Sequence, residues 1–334
     1  MSGDREGFGG RWHGECRWLS DSALKKEGKT SANPLKESFG HKANFKMVLL
    51  ALFGAVMGQG VIWYTGQFYA QSFLENVVKI EFTQNREILL WAIGLATPFF
   101  LFFGWLSDKI GRKWIMLSGM LLGVIFYRPI FNEFIKDTNI KKWMEQDLIV
   151  KQSDTFHLKD FYQPIPVKEI KTGKTDSFLV KHKIDSVVTN YKNYYGAQFT
   201  KTSKDTTVYH LFNVYASKDL KPQYSNKILG IEKLIKFIFL VWVMIIFVTM
   251  AYGPIAAFLV ELFPTKIRYT SMSLPYHIGN GVFGGLVPFI ATLLATTFTT
   301  DPLVGLWYPI GVAALCFVIG ALYLTNKKDK DVND

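Results

Sequence analysis

Cysteine is nearly absent from this chain of 334 residues, which contains only Cys16 and Cys316. Cys16 lies in a polar, glycine-rich beginning, whereas Cys316 lies inside a long apolar stretch. Two cysteines in such different surroundings form neither a disulfide framework nor a metal site. We therefore expect no metal centre and no redox chemistry.

The motifs of common enzyme classes are missing as well. The chain has no nucleophile elbow, no metal-ligand spacing and no phosphate-binding loop. The glycine-rich stretch "GNGVFGG" at 279–285 lies within an apolar segment instead of following a strand. The sequence predicts a protein that is not an enzyme and uses no cofactor.

A nucleic-acid motif does not accompany the formal net charge of +11, so we expect no nucleic-acid partner. The polar beginning also lacks the short apolar core and cleavage site of a secretory signal.

What the chain does contain is 49% hydrophobic and 16% aromatic residues. These concentrate in nearly uncharged windows of about 18 residues or more, the length needed to cross a hydrocarbon core of about 30 Å. The sequence predicts a membrane protein.

Six apolar windows are long enough to span a bilayer as helices. They are Met47–Ala70, Ile88–Leu106, Trp114–Phe131, Phe237–Val260, Ser273–Phe298 and Leu303–Thr325. Aromatic residues typical of the membrane interface, such as Trp91 and Trp307, blur their ends.

Basic residues in the short connections predict the orientation of these spans. The connections at 107–113 and 261–270 fall on one side if the helices alternate, and that side also receives the end of the leader and the tail. The bases on this side are Lys42, Lys46, Lys109, Arg112, Lys113, Lys266, Arg268, Lys327, Lys328 and Lys330. The opposite short loop, 299–302, has no base. The positive-inside rule then predicts that both termini lie in the cytoplasm. We expect the protein to lie in the inner membrane of the cell.

We accordingly divide the chain into five parts. These are a flexible cytoplasmic leader at 1–45, three spans within 46–131, an extracytoplasmic insert at 132–232, three more spans within 233–326, and a cytoplasmic tail at 327–334. The insert contains lysine but no arginine or cysteine. Its stretches "DSFLVKHKIDSVVTNY" and "TTVYHLFNVYA" alternate apolar and polar residues and are rich in β-branched and aromatic types, so we predict a small β-containing domain.

The densest charge cluster is "GWLSDKIGRKW", at 104–114, between the second and third predicted spans. Its three bases alone would be explained as topology determinants. Asp108 needs a further reason, because an acid at the C-terminal end of a helix opposes the helix dipole unless it faces a guanidinium or another helix N-terminus. Gly104, one turn earlier, would let a neighbouring helix approach closely.

The pattern G-x-L-S-D-x-x-G-R-[KR] resembles the signature loop of the major facilitator superfamily. It is matched by Gly104, Leu106, Ser107, Asp108, Gly111, Arg112 and Lys113. In that superfamily the loop joins the second and third helices of each six-helix half, as it does here, and latches one conformation through contacts with the other half. The resemblance implies an all-α membrane fold and one six-helix half of a secondary carrier.

Two longer stretches resemble the C-terminal half of the metabolite:proton symporters, which include proline/betaine and dicarboxylate carriers. They begin with "MVLLALFGAVMGQG" at Met47 and "AYGPIAAFLVELFPTKIRYTS" at Ala251, and the resemblance covers 34–131 and 233–325. It implies that a small organic solute and protons are the partners, together with membrane lipids and an N-terminal six-helix half that this chain lacks. It also implies that Glu261 and Arg268 join a cytoplasmic charge network with the loop at Asp108, although the alternative is a weak surface ion pair.

Polar side chains inside spans are costly and therefore candidates for a site. From the first and fifth predicted spans we select Gln59, Trp63, Tyr64, Gln67 and Asn280 as candidate solute-binding residues. His277 is the candidate for proton coupling, because its side chain titrates near physiological pH. The alternative for each is a structural hydrogen bond to a neighbouring helix.

Two other functions compete with the prediction of a carrier half. One is a membrane-anchored extracytoplasmic binding or interaction module, in which the insert is the working part. The other is an inactive truncated fragment, because a symporter of this kind has twelve spans and this chain has six.

Overall fold

The computed structural model describes residues 34–145, 148–168, 175–194, 196–209, 214–218, 222–264, 267–298 and 300–324. Most of the predicted leader, the predicted tail at 327–334, and Lys266 lie outside these residues. The end of the leader is not a free segment. Pro34–Gly40 is a helix, and the hydroxyl of its buried Ser38 accepts a hydrogen bond of 2.9 Å from the buried Ser271.

Helices long and apolar enough to cross a bilayer confirm the prediction of a multi-pass membrane protein. Within the described residues there are six such spans, Lys42–Asn76, Phe82–Ile110, Arg112–Met144, Ile231–Leu262, Arg268–Thr297 and Val304–Tyr323. The first four spans run further than the apolar windows at both ends, because polar and aromatic residues continue their helices into the interface. The long helix of the third span, for example, passes Phe131 and ends at Asp137. The sixth span lies within its predicted window.

Several spans are built from more than one helical segment. The first comprises α-helices Lys42–Ala51, Met57–Tyr64 and Ala70–Asn76, separated by π-helical Leu52–Val56 and Thr65–Tyr69. The second is Phe82–Ile110, and the third is Arg112–Asp137 followed by Ile140–Met144. The fourth comprises Ile231–Tyr252 and Ile255–Leu262, and the fifth comprises Arg268–Ile278, π-helical Gly279–Gly284 and Val287–Thr297. The sixth is the 3-10 turn Val304–Leu306 continued by Trp307–Tyr323.

The first span lies at the centre of the helical bundle. Of its most apolar window 67% is buried, compared with 22% for the second span and 28% for the fifth. The second and fifth spans instead expose large apolar side chains, including Leu95, Leu101, Phe289 and Leu293. This arrangement leaves their outward faces for lipid or for another protein surface.

The insert forms a five-stranded antiparallel sheet, which confirms its predicted β-content. The strands are β1 Leu148–Lys168, β2 Thr175–Asn193, β3 Gln198–Tyr209, β4 Val214–Lys218 and β5 Gln223–Ile228. Their order is β1-β2-β3-β4, and β5 pairs with another part of β3. The first stretch that predicted strands lies in β2, and the second covers the end of β3 and the start of β4, apart from residues 210–213, which lie outside the described residues.

The end of the sheet nearest the spans is tied to the loop after the first span. The backbone N–H of Lys227 in β5 donates to the carbonyl of Lys79 at 2.9 Å, and the N–H of Glu81 donates back to Lys227 at the same distance. The Gln84 side chain forms two further bonds with the backbone of Leu229, at 2.7 and 3.0 Å. We call this set of contacts the sheet root.

Two aromatic and cationic contacts complete the sheet root on the side of the third span. Trp143 is buried, packs against Phe199 of β3 and donates from its indole N–H to the carbonyl of Asp137 at 2.9 Å. The ammonium of Lys227 donates to the carbonyl of Thr138 at 3.1 Å, near the C-terminal end of the long helix. The sheet is thereby held at the loop after the first span, at the start of the second span and at the end of the third.

Lys227 is the most perturbed of these groups outside the spans. Burial, together with the smaller effect of the nearby charge of Lys79, lowers the pKa of its ammonium from the ordinary value of 10.5 to about 8. Since the folded chain releases this proton more readily than the unfolded chain, protonation of Lys227 opposes folding. The penalty is complete below pH 8 and disappears as the pH rises toward 10.5.

We predict that raising the pH from 7.5 to 9.5 stabilises the sheet root of the native protein relative to Lys227→Met, which keeps the aliphatic stem but cannot titrate. The relative gain is expected to be about 1–2 kcal/mol. Hydrogen exchange of the amides in β5 at both pH values measures it. An equal response of the two proteins to pH would contradict the assignment of this titration to Lys227.

Candidate functional site

The loop between the second and third spans contains an ion cluster. Gly111 separates the two helices with φ of 115°, a conformation that side chains other than glycine rarely adopt. This sharp turn returns Arg112 over the end of the preceding helix, where its guanidinium donates to Asp108 at 2.9 and 3.2 Å. The other guanidinium nitrogen pairs with Glu261 at the end of the fourth span. The sharing of one guanidinium therefore connects the loop to the fourth span.

Arg268 does not join this cluster as the resemblance implied. Its Nε donates instead to the carbonyl of Phe263 at 3.1 Å, across the connection between the fourth and fifth spans. The guanidinium thus satisfies a backbone carbonyl left free where the helix Ile255–Leu262 ends. Glu261, the expected partner of Arg268, forms its ion pair with Arg112.

Gly104 also differs from expectation. A Cβ at Gly104 would meet nothing within 4 Å, so its own side-chain position is open. The small residue at this helix contact lies instead on the fourth span. A Cβ at Gly253 would lie 3.2 Å from the carbonyl oxygen of Phe100 and 3.4 Å from the backbone nitrogen of Gly104. Gly253 is the small residue that permits the fourth span to pack on the second.

Lys113, the last residue of the loop motif, has a structural partner that the sequence did not indicate. Its side chain is buried, and its ammonium donates to the carbonyls of Ala321 and Leu324 at 2.9 and 2.5 Å. These carbonyls end the sixth span, where a cation is stabilised by the helix dipole. The loop is consequently fixed to the fourth and sixth spans at once.

Glycines bring the first and fifth spans together in the membrane. A Cβ at Gly60 would lie 2.6 Å from the carbonyl oxygen of Gly279, and a Cβ at Gly284 would lie 2.7 Å from the ring of Tyr64 and 3.0 Å from the backbone of Gly60. Real Cβ atoms do not approach so closely, so only glycine fits these positions. The backbones of the two spans are therefore in direct contact beside the predicted solute-binding residues.

The π-helical segments of these two spans coincide with the same region. Backbone carbonyls in and beside these segments also accept hydrogen bonds from side chains. Thr65 donates from its hydroxyl to Val61 at 2.6 Å, Tyr127 of the third span donates to Ile62 at 3.0 Å, and Tyr308 of the sixth span donates to Phe283 at 3.0 Å. Side chains from neighbouring spans thus support the irregular backbone.

Gln59 stands out among the predicted solute-binding residues. Its side chain is 1% exposed, and neither its amide oxygen nor its amide nitrogen has a hydrogen-bond partner among the described residues. A buried amide without partners costs on the order of 1–3 kcal/mol for each unsatisfied group. Gln67, two turns later, is also buried, at 9% exposure. The orphaned amide of Gln59 marks a polar position that the protein alone does not satisfy.

Two tyrosines contact further candidate solute-binding residues. Neither tyrosine was predicted from the sequence. The hydroxyls of Tyr252 and Tyr276 are 2.6 Å apart and join the fourth and fifth spans. The indole of Trp63 packs on the ring of Tyr252 with centroids 4.6 Å apart, and Asn280 donates from its amide to the carbonyl of Tyr276 at 3.0 Å. Tyr252 directly precedes the helix break at Gly253 and Pro254. This is the one sequence signal that could have indicated Tyr252 as a site residue.

The other two candidates lie at the edge of this group. Tyr64 packs against Phe68, with ring centroids 5.2 Å apart, and covers Gly284. His277 is exposed, with its ring edge against Tyr276 at a centroid distance of 5.9 Å. Its assignment to proton coupling stays a prediction. The part of the chain that the structure describes has no group of three or more His, Cys, Asp or Glu side chains able to hold a metal ion.

Comparison with known proteins identifies membrane transporters as relatives over a limited segment. The chain is 38% identical over 81 residues to a putative metabolite transport protein of Haemophilus influenzae, covering 24% of this chain and 17% of that protein. It is 37% identical over 78 residues to the inner membrane metabolite transport protein YhjE of Escherichia coli, covering 23% and 17%. It is 31% identical over 88 residues to the citrate-proton symporter of Klebsiella pneumoniae, covering 26% and 19%.

The resemblance to metabolite and proton-coupled transporters is thereby confirmed for part of the chain. The matched segments span less than a fifth of the length of these relatives. No protein-family model matches the chain, and no solved structure matches it. These relatives are transporters and not enzymes, which agrees with the prediction from the missing catalytic motifs.

We predict that Gly60→Ala destabilises the bundle by roughly 1–3 kcal/mol, because the added methyl group would overlap the backbone of the fifth span. Gly281→Ala is the matched control, since it lies in the adjoining π-helical segment and its Cβ would meet nothing within 4 Å. Thermal unfolding of both variants in the same detergent measures the difference. Equal midpoints would show that the first and fifth spans are not in backbone contact at Gly60.

A second prediction separates the observed ion cluster from the expected one. In a double-mutant cycle on stability, Arg112→Gln and Glu261→Gln should couple by about 0.5–1 kcal/mol, because the two partly exposed side chains form an ion pair. Arg268→Gln and Glu261→Gln should be additive within error, because Arg268 is bonded to a carbonyl. Coupling of Arg268 instead of Arg112 would refute this arrangement.

Proposed function

We propose that this chain is the C-terminal six-helix half of a major facilitator-type secondary carrier, located in the inner membrane with both termini in the cytoplasm. It transports a small organic solute, such as an osmolyte, an amino acid or a carboxylate, together with protons and by alternating access. The observation that carries the proposal is the unsatisfied amide of Gln59, buried in a membrane span at a glycine-mediated crossing of two spans. The similarity to named metabolite transporters and to a citrate-proton symporter supports it.

In this mechanism the solute supplies the partners that Gln59 lacks. An amide offers both a donor and an acceptor, so it can bind either end of a zwitterion or a carboxylate. Gln67 and Asn280 add further amides, while Trp63 and Tyr64 offer aromatic surfaces to apolar or cationic parts of the solute. The pair Tyr252 and Tyr276 can exchange its mutual hydrogen bond for one to the solute, because each hydroxyl is both donor and acceptor.

Alternating access requires the helices to move without leaving backbone groups unpaired. The π-helical segments and the glycine contacts between the first and fifth spans are places where small changes of angle are tolerated. In the cluster at one membrane surface Asp108 is exposed and Arg112 and Glu261 are partly exposed, so its ion pairs can break and reform at low cost. In the proposal this cluster latches one conformation, and His277 takes up or releases the proton.

The partner of this half is a complementary six-helix unit that completes the solute site. The exposed apolar faces of the second and fifth spans are the surfaces that it would cover. His277 lies on the fifth span and is exposed in the chain alone, so it would face the partner or the cavity between the halves. The remaining apolar surface would contact membrane lipids.

The proposal is tested by uptake into proteoliposomes with an imposed proton gradient. The chain is joined to the N-terminal half of a metabolite:proton symporter, and radiolabelled proline, betaine and 2-oxoglutarate are offered. We expect uptake of at least one solute by the joined protein and a loss of about tenfold or more in Gln59→Leu, because the solute then loses a buried polar partner.

Gln163→Leu is the matched control, since it makes the same change on an exposed strand of the sheet and should transport normally. A joined protein that folds but moves none of the solutes and carries no proton flux would reject the proposed function. Uptake that is unaffected by Gln59→Leu would reject the site while leaving the function in place.

A further inference from the structure

A groove lies on the lipid-facing side of the bundle between the first and sixth spans. The two helices cross at glycines, where a Cβ at Gly54 would lie 3.4 Å from the Cα of Gly320. Because the backbones meet there, the larger side chains on either side diverge and leave a groove of about 290 Å³. Its lining residues are Lys46, Leu49, Leu50, Phe53, Ile319 and Tyr323.

The lining has two chemically distinct parts. Leu49, Leu50 and Phe53 follow Lys46 at spacings of three, four and seven residues, so all four lie along one stripe of the first span. Ile319 completes an apolar trough, and Phe53 is held in place by an edge contact with Phe283 at a centroid distance of 6.3 Å. The apolar trough lies within the membrane spans, whereas Lys46 lies near the start of the first span and Tyr323 at the end of the sixth.

The charge at the mouth of the groove is available to a ligand. Lys46 is exposed and takes part in no ion pair within the described part of the chain. Tyr323, at the end of the sixth span, is 61% exposed and lines the same groove. A cation and a hydroxyl at the membrane surface, above an apolar trough, match the phosphate and the acyl chain of a phospholipid.

A similar groove at the other membrane surface differs in the charge that it offers to a ligand. It lies between the third and fourth spans, has a volume of about 280 Å³ and also contains a lysine, Lys136. That ammonium is paired with Glu133 at 2.9 Å, and Glu133 also pairs with Lys236. The phosphate of a lipid would meet a carboxylate there, so the second groove lacks the complementary charge.

We propose that the groove between the first and sixth spans binds one anionic phospholipid from the leaflet that the charge distribution predicts to be cytoplasmic. The acyl chain lies along Leu50, Phe53 and Ile319, and the phosphate contacts Lys46. The occupied groove fills the gap beside the crossing at Gly54 and Gly320. This site is separate from the proposed solute site and does not depend on transport.

Native mass spectrometry of the full chain in detergent tests the proposal, with dioleoylphosphatidylglycerol and dioleoylphosphatidylcholine offered at equal concentration. We expect the native protein to retain phosphatidylglycerol about fivefold better, the preference that one lysine at a membrane surface supplies. Lys46→Gln should reduce this ratio to about one. Lys109→Gln, which removes a lysine stacked on Trp105 outside the groove, should leave the ratio unchanged.

Two further measurements distinguish a lipid site from simpler explanations. Ile319→Trp fills the trough and should lower retention of both lipids, whereas soluble glycerol 3-phosphate should not compete because it lacks the acyl chain. Three results would overturn the proposal: equal retention of the two lipids by the native protein, an equal effect of Lys46→Gln and Lys109→Gln, or competition by glycerol 3-phosphate. A groove filled by the chain's own residues 325–334 would bind neither lipid and would also overturn it.

Discussion

Hydrocarbon offers no hydrogen bonds, and this constraint governs the irregular part of the bundle. Backbone polar groups there must find their partners within the protein. Tyr127 and Tyr308 donate from the third and sixth spans to backbone carbonyls of the first and fifth spans, and Thr65 donates to a carbonyl of its own helix. The surrounding helices therefore add hydrogen bonds to the irregular backbone.

Close helix packing follows from the same constraint. Since the lipid competes equally well for apolar side chains, helices in a bilayer associate through small residues and complementary shape. Gly60, Gly279 and Gly284 bring two backbones into contact, and Gly253 does the same for the second and fourth spans. Gln59 lies next to Gly60 in this packing, and its buried amide has no partner among the described residues.

The sequence predicted the features that depend on local pattern. Runs of apolar residues predicted six spans, and alternation predicted strands in the insert, because both periodicities are properties of single elements. The turn at Gly111 and the pairing of Asp108 with Arg112 also follow from neighbouring positions. Contacts between elements that are distant in the sequence were harder to predict. The sequence did not indicate that Lys113 would satisfy the end of the sixth span.

The contacts of the site that the sequence did not indicate have the same origin. Arg268 was expected beside Glu261, but Glu261 is reached by Arg112 across the loop, and Arg268 lies closer to a free carbonyl of its own connection. Tyr252 and Tyr276 lie 24 positions apart and meet because the fourth and fifth spans pack together, a contact without local signal. Burial of Lys227 likewise depends on a strand meeting a loop almost 150 positions earlier, a pairing without local signal.

The sheet root has a mechanical consequence. Hydrogen bonds join the sheet to the loop after the first span and to the end of the third, so the sheet must follow any tilt of these helices. At about 3.3 Å per residue, β2 is roughly 60 Å long, and a tilt of about 10° at its base would displace its far end by roughly 10 Å. A small tilt of these helices within the membrane would therefore produce a large displacement at the far end of the sheet.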